Sequence, residues 1–176
     1  MFIEIIFIGI MIGLASGGSV YGLGRLELKF IYVIFTAYLI KAGIDFFAPG
    51  YHWGGYPYLH LFSYLLLFFA LWKNKQIPGI YSISAGTALN FIVIVFNGGQ
   101  MPVRADVIPN EMARVLAAGF GGTHGLLVEG TKFKFLADIF YLALPYQHQL
   151  LSAGDFLIDV GILILLVKAT RSSKTL

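Results

Sequence analysis

The sequence predicts an all-α fold, a polytopic helical membrane bundle of about five transmembrane helices with a long outer connection that carries short amphipathic or re-entrant helices. Of the 176 residues, 58% are apolar and 12% are charged, whereas a soluble domain usually carries about 25% charged residues. Apolar runs close to the roughly 20 residues that cross a bilayer recur along the chain. No polar stretch is long enough for a separate domain, so residues 1–176 are predicted to form one integral membrane domain.

Composition also excludes several classes of function. The chain has no cysteine, which removes disulfides, iron–sulfur clusters and thiol catalysis. The net charge of +3 gathers at the ends of the predicted helices, a pattern that indicates contact with lipid headgroups. Membrane lipids are therefore expected partners, and nucleic acid is not. The N-terminus lacks a positive region and a cleavage site, so we interpret it as a retained helix.

The predicted helices begin with two that carry distinctive residues. They cover about residues 2–21, 28–47, 57–72, 78–96 and 151–167. In the first helix Gly13 and Gly17 stand four residues apart, the spacing at which membrane helices pack closely. In the second, Lys41 and Asp45 share one helix face, either at the interface or facing a cavity.

The third and fourth helices add polar side chains to the bundle. His60 lies one turn into the third helix, after an aromatic loop that contains His52, and both are interpreted as interfacial histidines or as groups facing a cavity. In the fourth, Asn90 and Asn97 are seven residues apart and fall on one face. An amide at such a position bonds a neighbouring helix or contacts a ligand.

The fourth helix is predicted to stop at a corner formed by Asn97, Gly98 and Gly99. Glycine permits backbone turns that other residues resist, and Pro102 prevents a regular helix from continuing. The corner therefore begins the long connection, and it is predicted to shape the floor of a site.

Residues 98–150 contain no full span, and a structureless loop of that length would be abnormal. The segment 109–119 is predicted to be a short amphipathic helix that Asn110 caps and Gly119 ends. The apolar piece 136–144 carries Asp138 and is too short to span, so it is predicted to be interfacial or re-entrant. The alternative is a sixth span, which would place both termini on one side.

The last helix carries Asp155 and Asp159 one turn apart on one face. The helix dipole favours a carboxylate in the first turn, which accounts for Asp155. Asp159 lies deeper and is the stronger indication of function.

Lys and Arg follow the first and third helices and occur again in the C-terminal tail. This distribution predicts a multi-pass protein of the cell membrane with its N-terminus outside and its C-terminus cytoplasmic. The corner, the long connection and the two carboxylates of the last helix then share the outer face.

The predicted ligand-binding residues on that face are Asn97, Gly98, Gly99, Arg104, His124, Asp138, Asp155 and Asp159. Three chemistries remain open for them. Arg104, Arg114 and Lys132 with the glycine amides suit an anion. His124, Asp138 and Asp155 have metal-ligand chemistry, although their spacing matches no compact metal motif. An Asp/His pair suits hydrolysis, but no known catalytic motif is present. No catalytic residue is assigned, and metal and cofactor stay undetermined.

Three segments carry a resemblance to a known family: Asn97-Gly98-Gly99-x-Met101-Pro102-Val103, Thr131-x-x-x-x-Leu136-x-Asp138-Ile139, and Ser152-x-Gly154-Asp155-x-Leu157-Ile158-x-x-Gly161. They resemble a family of small bacterial integral membrane proteins of unknown function, domain-of-unknown-function family 5317. The resemblance covers nearly the whole chain and implies a bacterial cell membrane and a small helical bundle. It singles out Asn97, Asp138 and Asp155. Pro145 lies farther behind Asp138 than the family pattern leads us to expect.

The function expected from these observations is binding or transport of a small or lipid-like molecule through an outward-facing polar cavity. One alternative is an intramembrane enzyme on a lipid-linked substrate, with Asp155 or His124 as acid–base group. Another is an accessory or structural subunit of a membrane complex that docks through Gly13 and Gly17, so an oligomer or a partner subunit stays open.

Overall fold

The computed structural model describes residues 2–49, 51, 53–144 and 147–171. Within these ranges the chain forms helices α1 (Phe2–Ala15), α2 (Tyr21–Gly24), α3 (Ile31–Phe47), α4 (Tyr56–Lys73), α5 (Ile80–Phe96), α6 (Asn110–Ala117) and α7 (Ala153–Arg171). Four short strands are β1 (Met101–Val103), β2 (His124–Leu126), β3 (Phe140–Leu144) and β4 (Gln147–Leu151). The fold is thus mainly helical, with small strands that the sequence did not predict.

The predicted membrane bundle is wrong. Among the described residues, no helix has both the length and the apolar composition needed to cross a bilayer. The apolar runs break early: α1 has 14 residues, and α3 and α5 have 17 each, about 26 Å at 1.5 Å per residue. The longer α4 and α7 carry buried polar groups, among them His60 and Asp159. The predicted multi-pass location in the cell membrane, with an outer N-terminus and a cytoplasmic C-terminus, is therefore not supported.

The alternative of a sixth span is also wrong. Residues 134–136 form a 3₁₀ turn, and β3 follows and pairs antiparallel with β4, with Phe140 opposite Leu151. The segment 136–144 is therefore part of a hairpin that leads into α7, neither a span nor a re-entrant helix.

The long helices pack side by side in the order α1, α7, α5, α4, α3. Glycines set the register of α5 on α7. A Cβ at Gly86 would lie 2.8 Å from Ile158 Cγ1 and would overlap the carbonyl of Gly154. The Ser82 hydroxyl also donates to the Leu157 carbonyl across this contact, at 2.7 Å. The close approach places Asn90 of α5 directly beside the start of α7.

The small-residue face of α1 is covered within the chain. A Cβ at Gly13 would overlap the Thr170 side chain of α7, and Gly18 packs against the Thr170 carbonyl. Gly17 lies beyond the end of α1 with φ +79°. The pairing of Gly13 and Gly17 as one helical docking face is therefore wrong, because the helix ends between them.

The connection from α5 to α7 folds over one end of the helices. Gly98 (φ +70°) and Gly99 (φ +84°) turn the chain, and the Gly99 amide closes α5 on the Ile94 carbonyl at 2.8 Å. β1 then pairs parallel with β2, and Val103 also bridges Asp138. The predicted amphipathic helix is α6, which begins at Asn110 and not after it, while Gly119 (φ +81°) follows its end as predicted.

Large apolar side chains lie exposed on the outer faces of α1, α3 and α4. Phe7 is 65% exposed, Phe35 62% and Leu39 70%. Buried apolar side chains instead concentrate between α4, α5 and β1, where Tyr64 and Ile94 pack together. The polar groups that the helices bury at that end form the candidate site.

Candidate functional site

A group of buried or partly buried polar side chains lies where α3, α4 and α7 meet the connection. We call it the interhelical polar cluster, and its members are Lys41, His60, Tyr64, His124, Asp138 and Asp155. Lys41 comes from α3, and its ammonium stands 5.3 Å from the centre of the Tyr64 ring of α4. Lys41 makes no ion pair and no hydrogen bond with a described residue.

His60 lies one turn into α4 and is only 1% exposed. Its Nδ1 is 2.7 Å from the Gly99 carbonyl, so Nδ1 carries the hydrogen because a carbonyl only accepts. Its Nε2 has no hydrogen-bond partner among the described residues. Burial, and then the charge of Lys41, lower the pKa of His60 to about 4. The ring is therefore neutral at pH 7, and its unpartnered Nε2 is a lone-pair acceptor.

A chain of hydrogen bonds ties the connection to α3 and fixes His124. Asp45 Oδ1 accepts from the Thr123 amide at 2.8 Å and from the Thr123 hydroxyl at 2.7 Å. Because that hydroxyl donates to Asp45, its oxygen accepts from His124 Nδ1 at 3.0 Å. His124 Nε2 then faces Asp138 Oδ2 at 3.5 Å.

Asp155 is held by the residues that begin α7. Its Oδ1 accepts from the Asn90 amide at 2.9 Å, and its Oδ2 accepts from the Ser152 amide at 2.8 Å and hydroxyl at 2.7 Å. The Asp155 amide donates back to the Ser152 hydroxyl at 3.1 Å. This reciprocal pattern is that of a helix capping box. Asp155 thus stabilises the start of α7 and also directs negative charge into the cluster.

Within the cluster the pKa of the acid Asp138 is raised, whereas the pKa values of the bases Lys41 and His124 are lowered. Burial raises the pKa of Asp138 to about 7, and the charge of Asp155 adds to this while Lys41 opposes it. Burial lowers the pKa of Lys41 despite nearby Asp155, Asp45 and Asp138. Burial also lowers the pKa of His124 against the charge of Asp45. Groups with pKa values displaced toward one another are common in functional sites.

The predicted ligand-binding residues separate into two groups. His124 and Asp138 face each other at 3.5 Å in the cluster, and the charge of Asp155 acts on Asp138. Asn97 is not part of the cluster: its amide donates to the carbonyls of Val93 (2.8 Å) and Lys132 (3.0 Å), and its oxygen accepts from the Lys132 amide at 2.9 Å. Asn97 therefore joins the end of α5 to the connection.

Gly98 is exposed, whereas Gly99 is buried against Pro57 and offers its carbonyl to His60. The glycines thus form the turn, and the Gly99 amide is already used by the Ile94 carbonyl. The Arg104 side chain is exposed and pairs with Asp106 at 2.8 Å, while its backbone amide donates to the Asp138 carbonyl at 3.1 Å. Asp159 is buried in α7, and burial raises its pKa to about 6. His52 lies outside the described residues.

The arrangement of His124, Asp138 and Asp155 does not support the metal hypothesis. Within the described ranges, no three His, Asp or Glu side chains converge as metal ligands. The groups of the cluster can donate and accept hydrogen bonds, and Asp138, with a pKa raised to about 7, can gain or lose a proton near neutral pH.

The sequence did not decide whether Lys41 and His60 lie at an interface or face a cavity. Helical spacing placed Lys41 on a face with Asp45, but the structure directs Asp45 to Thr123 and Lys41 toward Tyr64. The signal for His60 was a histidine one turn inside an apolar helix. Its acceptor role depends on the Gly99 carbonyl, which is 39 residues away in sequence.

The surface of the described residues carries, among others, two grooves. One, of about 390 Å³, is lined by apolar and aromatic side chains of α3, α4 and their linker, including Phe47, Trp53 and Leu59. The other, of about 220 Å³, lies beside Asn97, Gln100 and Thr131. Neither groove is lined by a member of the interhelical polar cluster.

The fold and site define a small, mainly helical protein with a buried polar cluster under a stranded connection. The model of a family of unknown function, DUF5317, matches residues 25–167, and the chain belongs to that family. The predicted family is thus confirmed. An uncharacterized protein of Thermotoga maritima is 31% identical over 111 residues. The match covers 62% of this chain and 62% of that protein's length. No solved structure matches the chain.

Proposed function

We propose that the protein binds a small polar molecule through Lys41 and His60 of the interhelical polar cluster. The observation that carries this proposal is the fully buried His60 Nε2, which has no hydrogen-bond partner among the described residues. Leaving a buried polar group unpartnered costs about 1–3 kcal/mol, and native proteins rarely do so without reason. A ligand that donates a hydrogen bond to Nε2 would remove that cost.

Lys41 requires a hydrogen-bond acceptor from the ligand, whereas His60 Nε2 requires a donor. The Lys41 ammonium donates but does not accept, and it is partly buried without an ion pair among the described residues. A ligand that offers an acceptor to Lys41 and a donor to His60 satisfies both groups. Hydroxyl and carboxyl groups on one small molecule have this chemistry, and a carboxylate gives the stronger, charge-assisted bond.

Access to His60 requires side-chain movement, because Nε2 is covered in this conformation. Lys41 is the charged side chain whose effect on the His60 pKa is largest, and four rotatable bonds make it easy to displace. His124 is 35% exposed at its side chain, so the cluster reaches the surface. Binding therefore needs rearrangement of Lys41 or His124 and leaves the helices in place.

Three matched compounds test the proposal: glycolate, which has a carboxylate and a hydroxyl; acetate, which lacks the hydroxyl; and ethylene glycol, which lacks the carboxylate. Isothermal titration calorimetry should show saturable binding, tightest for glycolate. Lys41→Met keeps the length of the side chain and should weaken glycolate binding at least about tenfold, the effect of losing one charge-assisted bond of about 1.5–3 kcal/mol.

The matched control is Lys75→Met, because Lys75 is exposed just after α4. This variant should leave the affinity for glycolate unchanged. His60→Phe keeps a ring of similar size and should also weaken binding. The proposal is wrong if none of the three compounds binds, or if Lys41→Met binds glycolate as tightly as Lys75→Met does.

A further inference from the structure

The His124–Asp138 pair at the edge of the cluster is arranged to hold a proton. The Thr123 hydroxyl, oriented by Asp45, fixes the hydrogen of His124 on Nδ1. His124 Nε2 therefore points its lone pair at Asp138 Oδ2, 3.5 Å away. A lone pair facing an ionised carboxylate is repulsive, so one proton shared by the pair makes this contact favourable.

Charged groups of α3 and α7 act on that proton, because Asp45, Lys41 and Asp155 all act on His124. Asp138 receives the charge of Asp155 from α7 and of Lys41 from α3, beside His124 from β2. Its carboxyl also acts on Tyr64 from α4. Burial raises the pKa of Asp138 to about 7, so the proton is exchanged near neutral pH.

An anion that binds Lys41 changes this balance. It neutralises Lys41, whose positive charge favours ionised Asp138, and it adds a second negative charge beside the one on Asp155. Both effects favour the protonated form of Asp138. The ligand's negative charge and the proton are therefore thermodynamically linked.

We propose that the ligand is a small hydroxy acid bound as its anion, and that the His124–Asp138 pair takes up one proton from the buffer when the anion binds. This inference rests on the proposed function and narrows its ligand class. No bond within the ligand changes: a buffer acid loses a proton, and Asp138 Oδ2 or His124 Nε2 gains it.

Calorimetry of glycolate binding at pH 8 in phosphate and in Tris measures the number of protons taken up, because these buffers differ in their heats of ionisation. We expect close to one proton taken up per glycolate. Affinity should then fall about tenfold for each pH unit above the pKa of the pair, the slope of a one-proton linkage. Glycolate itself stays ionised throughout this range.

Asp138→Asn imitates the protonated carboxyl and should bind glycolate with the same affinity from pH 7 to pH 9, without proton uptake. Asp106→Asn is the matched control, because Asp106 is exposed and the variant should keep the wild-type pH dependence. If Asp138→Asn retains that dependence, another group such as Lys41 takes up the proton, and the inference is overturned.

The compounds separate this inference from the proposed function. If ethylene glycol binds through Lys41 and His60 as tightly as glycolate, with no proton taken up, the binding site stands and the hydroxy-acid inference fails. If no compound binds, both fail.

Discussion

Replacing Asp138 by Asn should stabilise the fold, and increasingly so as the pH rises. Asp138 is 4% exposed, and burial and the charge of Asp155 raise its pKa from 3.8 to about 7. A carboxyl with a raised pKa stabilises the folded state below its unfolded pKa, and that stability is lost as pH rises toward the folded pKa. At 1.36 kcal/mol per pH unit, ionised Asp138 costs about 4 kcal/mol above pH 7.

Between pH 5 and pH 8 the free-energy cost of ionising Asp138 in the folded state should grow by about 2–3 kcal/mol, because part of that cost is already present at pH 5. Urea denaturation at both pH values measures it as the difference in unfolding free energy between Asp138→Asn and the wild type. Asp106→Asn, at an exposed carboxylate paired with Arg104, should show less than about 1 kcal/mol. Equal pH dependence for both variants would refute the view of Asp138 as a buried, partly protonated acid.

Two further variants test the packing that positions the cluster. Gly86→Ala would push a methyl group into Ile158 and the Gly154 backbone and should lower the unfolding free energy by about 1–3 kcal/mol. Its control is Gly43→Ala, which has no atom within 4 Å of the added Cβ and should raise the unfolding free energy by up to about 1 kcal/mol. Thermal melts that rank the two variants in the opposite order would contradict the packing of α5 on α7. Ser152→Ala removes the capping box of α7 and should cost about 1–2 kcal/mol, whereas a loss below about 0.5 kcal/mol would show that Asp155 is held by other groups.

Local chemistry made parts of the fold predictable. The pair of glycines after Asn97 predicted the end of α5, and the structure shows both at positive φ. The helix predicted over about residues 151–167 begins at Ala153, within two residues of the prediction, and Asp155 lies in its first turn as expected. Both predictions depend on residues adjacent in sequence, where backbone preference decides the outcome.

The error over the membrane came from composition. Apolar content measures how many side chains avoid water, but it does not say where each helix ends. The first predicted helix extended to residue 21, whereas α1 stops at Ala15 before a Ser-Gly-Gly run. Strands β1 and β2 were missed because three-residue strands have no detectable period.

The cluster was predicted in part, because the carboxylates are rare in an apolar chain and therefore conspicuous. His124 and Asp138 do face each other, and the charge of Asp155 acts on Asp138. Their neighbours Lys41 and His60 could not be assigned, because their environment depends on contacts between distant segments. Asn97 lies apart from the cluster, because its hydrogen bonds join it to Lys132.

The most direct test of the site is the nitrogen-15 NMR spectrum of the His60 ring, assigned with His60→Phe. We predict a hydrogen on Nδ1, a bare Nε2 and a neutral ring down to about pH 5, because the pKa of His60 is lowered to about 4. Adding glycolate should shift the Nε2 resonance in the wild type and in Lys75→Met, and Lys41→Met should need at least about tenfold more glycolate for the same shift. A ring protonated at pH 6, or an Nε2 resonance that glycolate leaves unmoved, would contradict a ligand site at Lys41 and His60.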